Sequence, residues 1–287
     1  MRILLAVDES NHSSVAAHAL EHFAPPKELI MLHVIDTPQF ACPTTGPKIP
    51  QELATTLEQS MKGKGELLLE RVISTLPSHT GPVTRKLESG SPTEVILATA
   101  ERIKADLIVM GARGIGQIPD PALGSVSYRV MTHACCPTLV VKSSMNQLQH
   151  VLLPIENQQD ADAVIAFFVK KPFRNSVKVT LLRVIPFSEP IWPVGAMVPE
   201  SFREEVIAGA EKLTNDVALQ LSALGHKAKI VTVMGAPSIS ILEETSAINP
   251  DLIVIGSQQR RGVSRFLLGS VCHRVAHQAP CSVLLLR

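Results

Sequence analysis

The sequence predicts an α/β protein built from two tandem, open, doubly wound parallel sheets of five strands each, Rossmann-like in type. Three observations carry this. Short segments that are apolar throughout alternate with helical ones, the pattern of a parallel sheet covered on both faces. From Gly90 onward the chain repeats itself at a constant offset of 145 residues without a gap. With 287 residues, each half is long enough to bury its own core.

The first half opens on a strand over Ile3–Val7, and Glu9-Ser10-Asn11 can cap the helix whose apolar face is Val15, Ala16, Ala19, Leu20 and Phe23. Pro25-Pro26 ends it. A strand over Leu29–Ile35, a Pro/Thr/Gly-rich loop and a long helix from Glu52 to Leu76 follow. After Gly81-Pro82 come a strand over Val83–Leu87, a helix over Thr93–Ile103, a strand over Leu107–Met110, a helix over Ser125–Thr132 and a last strand over Thr138–Val141. The second half runs in the same order from Val151 to Leu286, its long helix spanning Glu200–Leu224. The expected domains are 1–142 and 150–287, joined by a short polar linker, 143–149.

Charge excludes several function classes. There are 27 Lys and Arg against 26 Asp and Glu, a net charge of +1, and neither half has the basic excess of a nucleic-acid binder. A charge arrives at Asp8, too early for a signal peptide, and the longest apolar run, Ala163–Val169, is too short to span a bilayer. Five scattered cysteines, including the vicinal Cys135-Cys136, argue against a disulfide framework. The expected location is cytoplasmic, with no membrane partner.

Chemistry concentrates after the fourth strand. Gly111-Ala112-Arg113-Gly114 is followed, nine residues later, by Gly124-Ser125 at a helix start. In an open parallel sheet, ligands sit beyond the carboxyl ends of the strands, where Asp8 and Val34 also fall. Gly111 and Gly114 can take positive φ and let a phosphate approach backbone N–H groups. The helix N-terminus favours an anion, and Ser125 and Ser127 can donate their hydroxyls to it. Asp8 can accept from ribose or adenine, and Val34 and Met110 offer apolar contact to the base. No Lys follows the last glycine as in a Walker loop, and the loop follows strand four rather than strand one, so it is not the dinucleotide fingerprint.

These motifs, with Leu4-Leu5-Ala6-Val7-Asp8-Glu9-Ser10, Leu32-His33-Val34-Ile35-Asp36, Gly124-Ser125-Val126-Ser127 and Cys136-Pro137-Thr138-Leu139-Val140-Val141, make the chain resemble the universal stress protein family in its tandem form. The first half carries the glycine, two residues, glycine, nine residues, glycine and serine pattern of the nucleotide-binding branch. The resemblance implies an adenine nucleotide alpha hydrolase-like fold. It also implies a site for ATP, or AMP or ADP, with Mg or Mn as accompanying cation and no metal held by protein alone. Its residues would be Val7, Asp8, Val34, Met110, Gly111, Arg113, Gly114, Gly124, Ser125, Val126 and Ser127. Pro119-Asp120-Pro121 departs from the family's usual spacer. The family also commonly pairs its last strand with a mate. Here that implies an internal pseudo-dimer, with association of two tandem chains as a further expectation.

In the second half Glu156 stands for Asp8, Gln259 for Gly114 and Cys272 for Ser127, a degenerate copy that retains Val184, Gly256, Gly269 and Ser270. Arg260, Arg261 and Arg265 leave its loop more cationic. Other candidates fare worse: His18 and His22 lack a third metal ligand, Cys136 and Cys281 read as small core residues, and Trp192 as loop packing. No catalytic constellation appears. The sequence therefore reads as an ATP-binding, nucleotide-dependent stress-response regulator and not an enzyme, with at most slow hydrolysis. The alternatives are a scaffold of the same fold that binds no nucleotide and an ATP-using transferase or ligase. The last lacks the serine- and glycine-rich loop after strand one.

Overall fold

The computed structural model describes residues 1–36, 51–114, 123–186, 200–257 and 268–287. The first half contains β1 (Arg2–Val7), α1 (Asn11–Ala19), β2 (Glu28–Ile35), α2 (Gln51–Thr75), β3 (Val83–Ser89), α3 (Pro92–Arg102), β4 (Leu107–Gly111), α4 (Ser125–His133) and β5 (Thr138–Val141). The second contains β6 (His150–Pro154), α5 (Gln158–Val169), β7 (Lys178–Pro186), α6 (Glu200–Ala223), β8 (Lys227–Gly235), α7 (Pro237–Ile248), β9 (Leu252–Gly256), α8 (Ser270–Gln278) and β10 (Ser282–Leu286). Local chemistry accounts for the ends. Ser10 caps α1 by accepting from Ser13 N–H, Asn157 caps α5 by accepting from Asp160 N–H, and proline occupies the first turn of α3 and α7.

Each half forms the expected five-stranded parallel sheet, and the two join into one sheet of ten strands in the order β3-β2-β1-β4-β5-β10-β9-β6-β7-β8. The seam is antiparallel. At its centre Leu139 faces Leu284, its own counterpart at the offset of 145, so a local two-fold axis passes between them. The last strand of each half is the outer strand of its own five and pairs antiparallel with its counterpart, as the internal pseudo-dimer requires. β5 is flanked by β4 and β10, and β10 by β5 and β9, leaving β3 and β8 as the edges. The seam fills both ladders, and neither strand has a free backbone edge to offer a second chain.

Two apolar layers cover the sheet, and alternation along each strand assigns side chains to them. Ile3, Leu5 and Val7 point to the layer of α1, α2, α5 and α6, whereas Leu4 and Ala6 point to that of α3, α4, α7 and α8. Both layers run across the seam. Phe23 and Phe173 form an isolated antiparallel bridge with ring centroids 5.6 Å apart, and Phe173 packs on Phe168 at 5.5 Å. His22, one of the two histidines weighed for a metal, is spent here: its Nε2 donates to the Met145 carbonyl at 2.5 Å.

The seam is also tied by swapped helix caps. Lys142 donates its ammonium to the carbonyls of His277 and Ala279 at the end of α8, at 3.2 and 2.6 Å. Arg287, its counterpart, donates to Met131 and Thr132 at the end of α4. A cation at a helix C-terminus meets unsatisfied carbonyls and the negative end of the dipole. Each half therefore caps a helix of the other.

Cys136 is buried, and burial together with the neighbouring Cys135 pushes its thiol up to about 12, while Cys135 is exposed. Alkylation of the folded chain at about pH 8 is expected to label Cys135 and spare Cys136, read by peptide mass spectrometry. Equal labelling would mean that the segment before β5 opens in the native state.

Candidate functional site

At the carboxyl ends of β1, β2 and β4 lies a cavity of about 660 Å³ lined by all eleven residues expected of the first site. Val7, Asp8, Val34, Met110 and Gly111 come from strand ends. Arg113 and Gly114 come from the loop, and Gly124, Ser125, Val126 and Ser127 from the start of α4. Gly124 caps α4 in an extended conformation (φ −66°, ψ 157°), and its N–H donates to the Ala112 carbonyl at 2.8 Å. The first N–H groups of the helix therefore face the cavity without an intrahelical acceptor.

Asp8 organises the floor. Its Oδ1 accepts from Ser10 N–H at 3.0 Å, the Ser10 hydroxyl at 2.5 Å and the Ser13 hydroxyl at 2.6 Å. Ser10 Oγ also lies 3.1 Å from the Arg113 carbonyl, joining the β1–α1 turn to the glycine loop. With Oδ1 holding three donors, only Oδ2 remains for a ligand. That atom lies beside Gly114, where an added Cβ would sit 2.7 Å from it.

Several expected roles change. Neither Gly111 nor Gly114 has positive φ. Gly111 is needed because α1 packs against it: a Cβ there would lie 2.7 Å from the carbonyl carbon and Cβ of His12. Gly114 is needed for the Asp8 carboxylate. Ser127 is not a free donor, since its buried hydroxyl donates to the Ala112 carbonyl at 2.6 Å and also lies 2.9 Å from that of Gly124. It fastens the loop to α4. Pro119-Asp120-Pro121 lies outside the described residues.

The cavity also holds residues the sequence reading did not assign to it. His33 Nδ1–H donates to the Val7 carbonyl at 2.8 Å, which fixes the ring beside the cavity. Leu32 and Ile96 extend the apolar wall, and α2 contributes Met61, Lys64 and Gly65. A Cβ at Gly65 would meet Leu87 Cδ1 at 2.6 Å and His33 Cδ2 at 3.0 Å. A glycine inside a long helix was the available signal for this close approach.

The second half is built differently at the matching place. Glu156 is exposed, and the carboxylate near the loop comes instead from Asp160, the counterpart of His12. Asp160 Oδ2 accepts from Glu156 N–H at 3.0 Å, and a Cβ at Gly256 would fall 2.3 Å from Oδ1. Burial raises the Asp160 carboxyl above its ordinary range, against the pull of its two backbone donors. Arg183, the counterpart of His33, donates to the carbonyls of Ile155 and Glu156. Val184 is buried on β7, Gly269 caps α8, Ser270 opens it, and Cys272 donates to the Gly256 carbonyl at 3.1 Å. Gln259, Arg260, Arg261, Arg265 and Trp192 lie outside the described residues. Among the described residues no helix is long and apolar enough to cross a membrane, and no cluster of three or more potential ligands could hold a metal.

The model of the universal stress protein family matches residues 1–142 and again 147–287. A universal stress protein of Mycolicibacterium smegmatis is 27% identical over 303 residues, covering 99% of this chain and 96% of that protein. One from Thermus aquaticus is 34% identical over 143 residues, 49% of this chain and 97% of its own length. The crystal structure of a universal stress protein from Archaeoglobus fulgidus shares the fold, with a TM-score of 0.65 and 22% identity over 100% of this chain and 96% of that one. Matched on each half and related over nearly its whole length, the chain belongs to the universal stress protein family.

Proposed function

We propose that the first half binds an adenine nucleotide in this cavity, ATP with Mg or Mn as its accompanying cation, or AMP or ADP, and that occupancy is read by protein partners as a stress-response signal in the cytoplasm. The observation that carries the reading is the convergence of three unlike surfaces on about 660 Å³, a volume in the range of small-molecule sites. Val34, Met110, Leu32 and Ile96 suit a flat base. Asp8 Oδ2 suits a sugar hydroxyl. The loop, Ser125 and the start of α4 suit phosphates, with Arg113 and Lys64 as cations on the same wall. Turnover of ATP, in this reading, is slow at most. In the second half the exposed Glu156 and the Asp160 carboxylate against Gly256 support weak or absent binding of the same ligand.

The test is to purify the chain without added nucleotide, denature it and identify what is released, with Gly114→Gln alongside. Wild type is expected to release an adenine nucleotide. The variant, whose Cβ would press on Asp8 Oδ2, is expected to bind at least about tenfold more weakly, roughly 1.4 kcal/mol. Equal release from both would remove the cavity from consideration. If neither releases any and calorimetry with Mg-ATP is flat, the scaffold reading takes over. Turnover of about 1 per second or faster would make the protein an enzyme.

A further inference from the structure

The two copies diverge at the opposite edge of their sheets, where strands begin. In the first half Arg2 and Glu28 are register partners on β1 and β2, joined by an ion pair of 2.7 Å. Their counterparts on β6 and β7 are His150 and Lys178, also register partners, and Lys178 is in turn opposite Lys227 on β8. The acid that neutralises this row in one copy is a cation in the other. Like charges directly opposite on neighbouring strands repel, and Lys178 and Lys227 stand side by side.

They open onto a cleft of about 610 Å³ between the halves, which Arg174 also lines. None of the three cations is held by a carboxylate among the described residues, and Glu21 is the only acid lining the cleft. Neutral donors accompany them in Asn175 and Ser176. The imidazole of His150 is held below its ordinary range by burial and by the Lys178 charge, against the opposing pull of Asp251.

We propose that this cleft binds a small, multiply charged phosphate anion, a diphosphate or triphosphate group, at a site separate from the nucleotide cavity. Three cations converging from β7, β8 and the turn before β7 require more than one negative charge for balance, and the cleft has the volume of a small molecule.

The test is calorimetric titration of inorganic pyrophosphate into the full chain at low ionic strength. The expected result is saturable binding, one per chain at this cleft, retained in Gly114→Gln and weakened about tenfold or more in Lys178→Glu and Lys227→Glu. Both lysines are exposed, so these variants are expected to fold, and urea unfolding checks it. ATP titrated into the Gly114→Gln chain separates two sources of the same chemistry: affinity equal to pyrophosphate identifies any phosphate tail as ligand, and a much weaker response identifies free oligophosphate. The proposal is overturned by no saturable heat at millimolar pyrophosphate, by binding lost in Gly114→Gln but intact in Lys178→Glu, or by an equal loss in Lys212→Glu on the surface of α6.

Discussion

Replacing Gly111 by alanine is expected to lower the stability of the chain by about 3 kcal/mol, and valine is expected to prevent it from accumulating folded. The Cβ would meet the backbone of His12 at 2.7–2.8 Å, and backbone cannot rotate aside as a side-chain tip can. Relief would require α1 to lift from β4, dragging Ser10 and Ser13 away from Asp8 and opening the floor of the cavity. Gly124→Ala is the matched control. Its Cβ would find its nearest neighbours at 3.4 Å, so a loss below about 1 kcal/mol is expected. Urea unfolding followed by far-UV circular dichroism measures both. Equal small losses would show that α1 yields at this contact.

Leu284→Asp is expected to cost still more, about 4–5 kcal/mol, because a carboxylate would be placed at the two-fold axis inside an apolar layer. Leu284 is fully buried, opposite Leu139 and within the apolar layer shared by both halves. Wild type is expected to unfold in one transition, since both layers and the swapped caps of Lys142 and Arg287 cross the seam. In the variant the halves should melt separately, or the chain should be unfolded at room temperature. Calorimetry distinguishes these, and a single transition at the wild-type temperature would show that the seam contributes little.

The fold was largely legible because strands such as Leu107–Gly111 are buried along their whole length and repeat as Leu252–Gly256. Element ends shifted by a residue or two, as where β3 ends at Ser89 rather than Leu87, since charged and polar residues at a strand end take part in the ladder as readily as apolar ones. The segments that line the first cavity were readable in the sequence, the glycine loop from its spacing and Val7, Asp8 and Val34 from their places at strand ends. The work each residue performs was not. Ser127 turns inward to a carbonyl, and Gly111 and Gly114 make room for His12 and Asp8, because those distances depend on how α1 settles on β4. Nor could the sequence show that Asp160 would supply the acid in the second half. Its helix position is held by His12 in the first, and only packing brings it against Gly256. His33 and Lys64 were not assigned to the site for a related reason: they reach the cavity from segments with no phosphate-type motif, one at a strand end and one on α2.

The seam between β5 and β10 has a consequence for stoichiometry. Two separate chains meeting through their last strands could exchange mates, and any mixture of intact and altered loops could arise. Here the pairing is covalently programmed, so every molecule carries one half of each kind, the strands of one antiparallel to those of the other across a two-fold axis that the backbone obeys and the side chains break. A binding protein that recognises the first cavity therefore always meets a single copy per molecule. It finds an imperfect image of it on the far side, which makes the molecule directional where a symmetric dimer would not be.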